Sequence, residues 1–172
     1  MTVKTTRLGL GEWLLGAASV LLLVDLFAVT WFEYSPQYHA TAVMLGQRVS
    51  ANGWQTFEVI GPLTVFICLV GIAIWMLTST RRSPAVPVVL TTLLIPVSFV
   101  LLVLVAIRVL IDRPTVHLAQ AGGANVIETR PGAYIGLALA VIIFCGLYLA
   151  LRREGVAAGD SPQFIETLRV SG

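Results

Sequence analysis

The sequence predicts an all-α membrane protein, a bundle of four transmembrane helices whose two termini both lie in the cytoplasm. Four long apolar segments carry this prediction, at residues 13–32, 59–79, 86–111 and 132–151. A spanning helix needs ~20 mostly apolar residues, because ~30 Å of hydrocarbon must be crossed at ~1.5 Å per residue. Composition agrees, since 57% of the residues are hydrophobic and 12% are charged, whereas soluble domains average ~25% charged residues.

The first apolar segment resembles a secretory signal peptide only in its basic start, at Lys4 and Arg7. Its apolar stretch exceeds the ~7–15 residues of a signal-peptide core, and bulky residues at 30–34 stand where a peptidase requires small ones. We therefore expect a retained helix. Residues 1–153 are then one transmembrane domain, and residues 154–172 form a polar, flexible cytoplasmic tail.

The distribution of basic residues sets the expected orientation, because Lys and Arg concentrate on the cytoplasmic side of a membrane. Those assigned to the cytoplasmic side are Lys4, Arg7, Arg81, Arg82, Arg152 and Arg153, and those assigned to the outer side are Arg48, Arg108, Arg113 and Arg130. The two longer loops then face outward. We expect each of Trp13, Trp31, Trp54 and Trp75 to lie near a membrane–water interface, where an amphipathic ring is favourable.

Asp25 is the sharpest candidate site in the chain, since it lies inside the first apolar segment, ~10 Å below its outer end at ~1.5 Å per residue. An unpaired carboxylate there costs several kcal/mol, so it needs a partner or a proton. Arg108, near the outer end of the third segment, is the natural partner, and we expect an Asp25–Arg108 ion pair. The pair could fix helix register, form part of a proton or ion pathway, or bind a partner.

The fourth apolar segment carries small residues at a strict four-residue spacing, namely Gly132, Gly136 and Ala140. Such a ridge lets two helix backbones approach closely, which is what helix association in lipid requires. The ridge predicts a packing face inside the bundle or, alternatively, the seam of a homodimer.

Several function classes lack their residues in this chain. The net charge of +2 is too weak to indicate nucleic-acid binding. Cys68 and Cys145 have no metal-ligand spacing, and His39 and His117 without a third clear ligand make a poor metal site. We expect no metal and no cofactor. The carboxylates and arginines of the outer loops predict a solvated rim with ion pairs. The residues of that rim are Glu33, Arg48, Glu58, Asp112, Arg113, Glu128 and Arg130.

Short motifs mark the segment boundaries: Gly11-Glu12-Trp13, Asn52-Gly53-Trp54 with Phe57-Glu58, Gly132-Ala133-Tyr134 and Arg152-Arg153. With them the chain resembles a group of small, uncharacterised four-helix membrane proteins of actinobacteria. The resemblance implies a bacterial plasma membrane and no particular activity.

The leading hypothesis is therefore a non-enzymatic integral membrane protein that serves as an accessory or interaction subunit. Its expected partners are the lipid bilayer and a membrane protein or a second copy of the chain. A small transporter or channel using Asp25, as an oligomer, is the alternative. A membrane enzyme is the third hypothesis, and it would require His39 and His117 to converge with the rim carboxylates.

Overall fold

The computed structural model describes residues 9–80, 85–111 and 126–153. Four long helices dominate this part of the chain: α1 (Leu10–Ala28), α4 (Ile60–Thr80), α5 (Ala85–Ala106) and α6 (Pro131–Arg153). A π-helical turn, Ile107–Ile111, extends α5. All four are long and apolar enough to cross a membrane.

The four helices pack as a bundle in which α1 contacts α4 and α6, and α5 contacts the same two helices. Helices α1 and α5 therefore lie diagonally opposite each other. The core between them contains Leu15, Leu22, Ile67, Leu101 and Ile143, each at most 2% exposed. Outward positions carry apolar side chains as well, such as Leu21, Phe66, Leu93 and Ile135, which are at least half exposed. The bundle is apolar both inside and outside, as expected of helices surrounded by lipid.

The prediction of an all-α fold is wrong at one end of the bundle, where three strands form a small antiparallel sheet. The strands are β1 (Thr30–Tyr34), β2 (Ser50–Asn52) and β3 (Ile127–Thr129), in the order β2-β1-β3. Strand β1 pairs with β2 in the loop that follows α1 and with β3 in the segment that precedes α6. The two predicted outer loops thus meet in one sheet, and we call this end of the molecule the sheet end.

Helix α1 ends at Ala28, four residues before the predicted boundary at residue 32. Its C-terminal neighbour Val29 is extended, with φ −101° and ψ 140°, and a β-branched and aromatic run follows, which favours a strand. The apolar run 13–32 therefore joins a helix to a strand. Because hydropathy alone does not separate an apolar helix from a buried strand, the predicted helix includes the whole run.

Two short helices complete the sheet end: α2 (His39–Met44) and α3 (Gly53–Thr56). Asn52 caps α3, since its Oδ1 accepts from the Gln55 backbone N–H at 2.9 Å and its own N–H donates to Gln55 Oε1. Its Nδ2 donates to the Phe27 carbonyl at 2.7 Å, a group that the end of α1 leaves without a helical partner. One side chain thus joins the end of α1 to the start of α3.

Candidate functional site

Asp25 lies one turn from the end of α1, and not two turns as predicted, because residues 29–32 leave the helix. Asp25 is buried, with 3% of its surface exposed. Within the described part of the chain, neither carboxylate oxygen has a hydrogen-bond partner. A buried polar group without a partner is rare in folded proteins and calls for an explanation.

The ring of Trp31 and the backbone of α6 close the space around Asp25. Trp31 is 1% exposed and its Nε1–H donates to the main-chain carbonyl of Asp25 at 3.3 Å, which also accepts the Val29 N–H. A Cβ at Gly136 would stand 2.9 Å from Asp25 Oδ2 and 2.3 Å from Trp31 Cζ2. The carboxyl group therefore packs directly against the α6 backbone, with the indole ring beside it.

The Asp25 carboxylate accepts no hydrogen bond from any described residue, so its ion pair with Arg108 stays a prediction. Arg108 lies in the π turn that extends α5, the helix diagonal to α1. It lines a cleft at the sheet end together with residues 56–60. Asp25 instead faces α6, which is adjacent to α1 in the bundle.

The small-residue ridge of α6 is used inside the molecule. A Cβ at Gly132 would stand 2.5 Å from the Thr30 carbonyl oxygen, and Gly136 meets Trp31 and Asp25 as described. Ala140 is 4% exposed. Further along the same contact, a Cβ at Gly146 would stand 2.9 Å from the Leu15 backbone nitrogen. In this close approach of α6 to α1 and β1, small residues of the predicted ridge make contacts inside the molecule.

A polar cluster lies on the sheet, and it forms one of the ion pairs expected at the rim. Arg130 Nε donates to Glu33 Oε2 at 2.7 Å. His39 Nε2 donates to the Tyr34 carbonyl at 2.6 Å and lies 3.6 Å from Glu33 Oε1. His117, which the enzyme hypothesis requires beside His39, lies outside the described residues, as do Asp112 and Arg113.

The side chain of Tyr34 links the sheet to the loop after α2, since its hydroxyl donates to Gln47 Oε1 at 2.5 Å. The residue is 6% exposed, and burial raises the pKa of the Tyr34 phenol above its usual value of 10.0. It therefore remains a neutral donor at physiological pH, which suits a structural role.

A metal centre has no support among the described residues, which contain no group of three or more His, Cys, Asp or Glu side chains able to hold an ion. Cys68 is buried and Cys145 exposed, and both are free thiols.

Two residues organise the sheet end in ways that were not predicted from the sequence. Trp31, expected near a membrane–water interface, is buried and packs edge-on against Phe57 at a centroid distance of 5.7 Å. Asn52 caps α3, and the sequence signal for this role is Gln55 three residues later, the pattern of a helix capping box.

Comparison with models of protein families, with curated proteins and with solved structures finds no match to this chain. Its class is therefore defined by its own geometry, a bundle of four apolar helices with a small sheet at one end.

Proposed function

We propose that this chain is an integral protein of the bacterial plasma membrane, with four spanning helices and both termini in the cytoplasm, that acts as a non-enzymatic accessory or interaction subunit. One observation carries the proposal: the loop after α1 and the segment before α6 pair in one antiparallel sheet, β2-β1-β3. Two residues fix this sheet to the bundle. The ring of Trp31 packs against Phe57, and Asn52 donates a hydrogen bond to the Phe27 carbonyl at the end of α1.

A surface braced in this way is suited to recognition. The Glu33–Arg130 pair and His39 hold polar groups in fixed positions on the sheet. A preorganised surface loses less conformational entropy when a partner binds than mobile loops do. The close α1–α6 contact supports a structural bundle in preference to an open pathway.

Affinity purification tests this proposal. The tagged protein is isolated from its native membrane in mild detergent, and co-purifying proteins are quantified by mass spectrometry. We expect a stoichiometric membrane-protein partner, lost when Arg130→Glu reverses the charge beside Glu33 and retained in the control Arg152→Glu at the opposite end. Recovery of the protein alone, or only as a homo-oligomer, would contradict the accessory role.

A small transporter or channel that uses Asp25 is the second candidate, and the two unpartnered oxygens of the buried carboxylate favour it. An intramembrane carboxyl group often marks a proton or ion pathway. Trp31 covers Asp25 toward the sheet end, so ion movement would require that ring to swing away. Proteoliposomes with a pH gradient test this reading: flux that disappears in Asp25→Asn supports transport, and equal flux in both proteins contradicts it.

A further inference from the structure

The cleft that Arg108 lines lies at the sheet end, between the start of α4 and the π turn that extends α5. Its volume is about 290 Å³, and its lining consists of Thr56, Phe57, Glu58, Val59, Ile60 and Arg108. The two charged members have opposite signs. Glu58 is exposed and Arg108 half-buried, so an entering group can reach both.

An apolar border accompanies the two charges of this cleft. Val59, which lines it, is 76% exposed, and Ile107, next to Arg108 in the π turn, is 40% exposed. An apolar surface that adjoins a cleft with two opposite charges fits an amphiphile with a zwitterionic head. A soluble metabolite would leave that surface uncovered.

We propose that this cleft binds the headgroup of a zwitterionic phospholipid that carries a primary ammonium, namely phosphatidylethanolamine. This inference rests on the proposed membrane location, which places the start of α4 at the level of the headgroups. The Arg108 guanidinium carries five N–H donors, so it can keep its present interaction within the protein and still donate to a phosphate oxygen. The apolar border contacts the acyl chains.

Glu58 provides the selectivity. A primary ammonium donates charge-assisted hydrogen bonds to a carboxylate, whereas the trimethylated ammonium of phosphatidylcholine has no N–H to donate. Phosphatidylglycerol is anionic, and because its head carries no cation it leaves Glu58 without a counter-charge. Phosphatidylethanolamine alone among these three satisfies both side chains.

Native mass spectrometry of the purified full chain tests the site, with equimolar phosphatidylethanolamine, phosphatidylcholine and phosphatidylglycerol of identical acyl chains. We expect the wild type to retain phosphatidylethanolamine about tenfold over phosphatidylcholine, the size of effect expected of a hydrogen bond between charged groups. Arg108→Gln is expected to lower retention of all three lipids. Glu58→Gln is expected to abolish the preference for phosphatidylethanolamine.

Matched controls make the same charge changes elsewhere at the sheet end: Arg48→Gln, on a separate cleft, and Glu128→Gln, on β3. Both are expected to retain lipids as the wild type does. Equal retention of the three lipids by the wild type, or the same loss in the controls, overturns the site. If Arg108→Gln does not give a monodisperse protein, the exposed Glu58→Gln carries the test alone.

Free phosphoethanolamine distinguishes a lipid from a soluble ligand with the same head. We expect it to displace the bound lipid poorly, and displacement at equimolar concentration would overturn the lipid assignment.

Carbonate extraction of native membranes tests the membrane location separately. A protein that stays in the membrane but shows no lipid preference refutes only the headgroup site, whereas an extracted protein refutes the membrane location and the site together.

Discussion

Substitution of Gly136 by alanine probes the contact that joins α6 to α1 and β1. The new methyl carbon would stand 2.3 Å from Trp31 Cζ2, 2.6 Å from its Cη2 and 2.9 Å from Asp25 Oδ2. Non-bonded carbon atoms prefer ~3.5–4.0 Å, so the methyl group overlaps the ring by about 1 Å. Either the ring or the helix must move.

The ring has little freedom to move. Trp31 is 1% exposed, packs edge-on against Phe57, and donates its indole N–H to the Asp25 carbonyl. On its other side, a Cβ at Gly53 would stand 2.9 Å from Trp31 Cε2. We therefore expect α6 to be displaced from α1.

The expected cost is the difference between two effects. Overpacking of a well-filled site costs about 1–3 kcal/mol, and the better helix propensity of alanine returns up to ~1 kcal/mol. Because the methyl overlap is about 1 Å, the upper half of the overpacking range applies, and Gly136→Ala should lower the free energy of unfolding by about 1–2 kcal/mol. Gly61→Ala is the matched control, because its Cβ would meet the half-exposed Trp54 ring at 3.3 Å, and that ring has room to shift.

Reversible denaturation in mixed micelles, followed by tryptophan fluorescence, measures both variants. A double-mutant cycle with Trp31→Ala assigns the cause, since removal of the ring should remove most of the Gly136→Ala penalty. Equal stability of Gly136→Ala and the wild type, or a cost that is the same with and without the Trp31 ring, would show that this ring does not restrict the space at Gly136.

Three further predictions concern the buried carboxyl, the orientation and the sheet. Asp25→Asn keeps the shape of the side chain and removes its ionisable group. Because neither carboxylate oxygen accepts a hydrogen bond, we expect the variant to be at least as stable as the wild type in detergent. A loss of more than ~2 kcal/mol in the free energy of unfolding would indicate that the carboxylate has a partner. With the sheet end outside the cell, Ser50→Cys should react with a membrane-impermeant maleimide added to intact cells. Native Cys145, exposed on the surface of α6 within the proposed span, should not react. Labelling of Ser50→Cys only after the cells are permeabilised would contradict the proposed topology. Tyr34→Phe loses the hydrogen bond to Gln47, at a cost of about 1 kcal/mol near neutral pH. Because burial raises the pKa of Tyr34 above 10.0, the stability of its buried neutral form is fully present below pH 10 and is lost as the pH rises through the folded-state pKa. The variant should therefore show a shallower fall in melting temperature above pH 10, and an unchanged alkaline slope would exclude this origin.

The sequence alone determined the number and approximate positions of the four long helices, because a run of ~20 apolar residues is a local property of the chain. It also determined the ridge on α6, since residues four apart lie on one helix face whatever the partner.

Only the tertiary structure decided what the ridge packs against and where the buried charge lies. Glu33 and Arg130 are 97 residues apart in the chain, and strand pairing over that distance leaves no local periodicity to detect. Residues 30–32 belong to β1 and not to α1, and this strand places the Trp31 ring beside Asp25. The order of helices around the bundle placed Asp25 against α6 and Arg108 on the diagonal helix, because adjacency in a bundle depends on how all four faces are buried together.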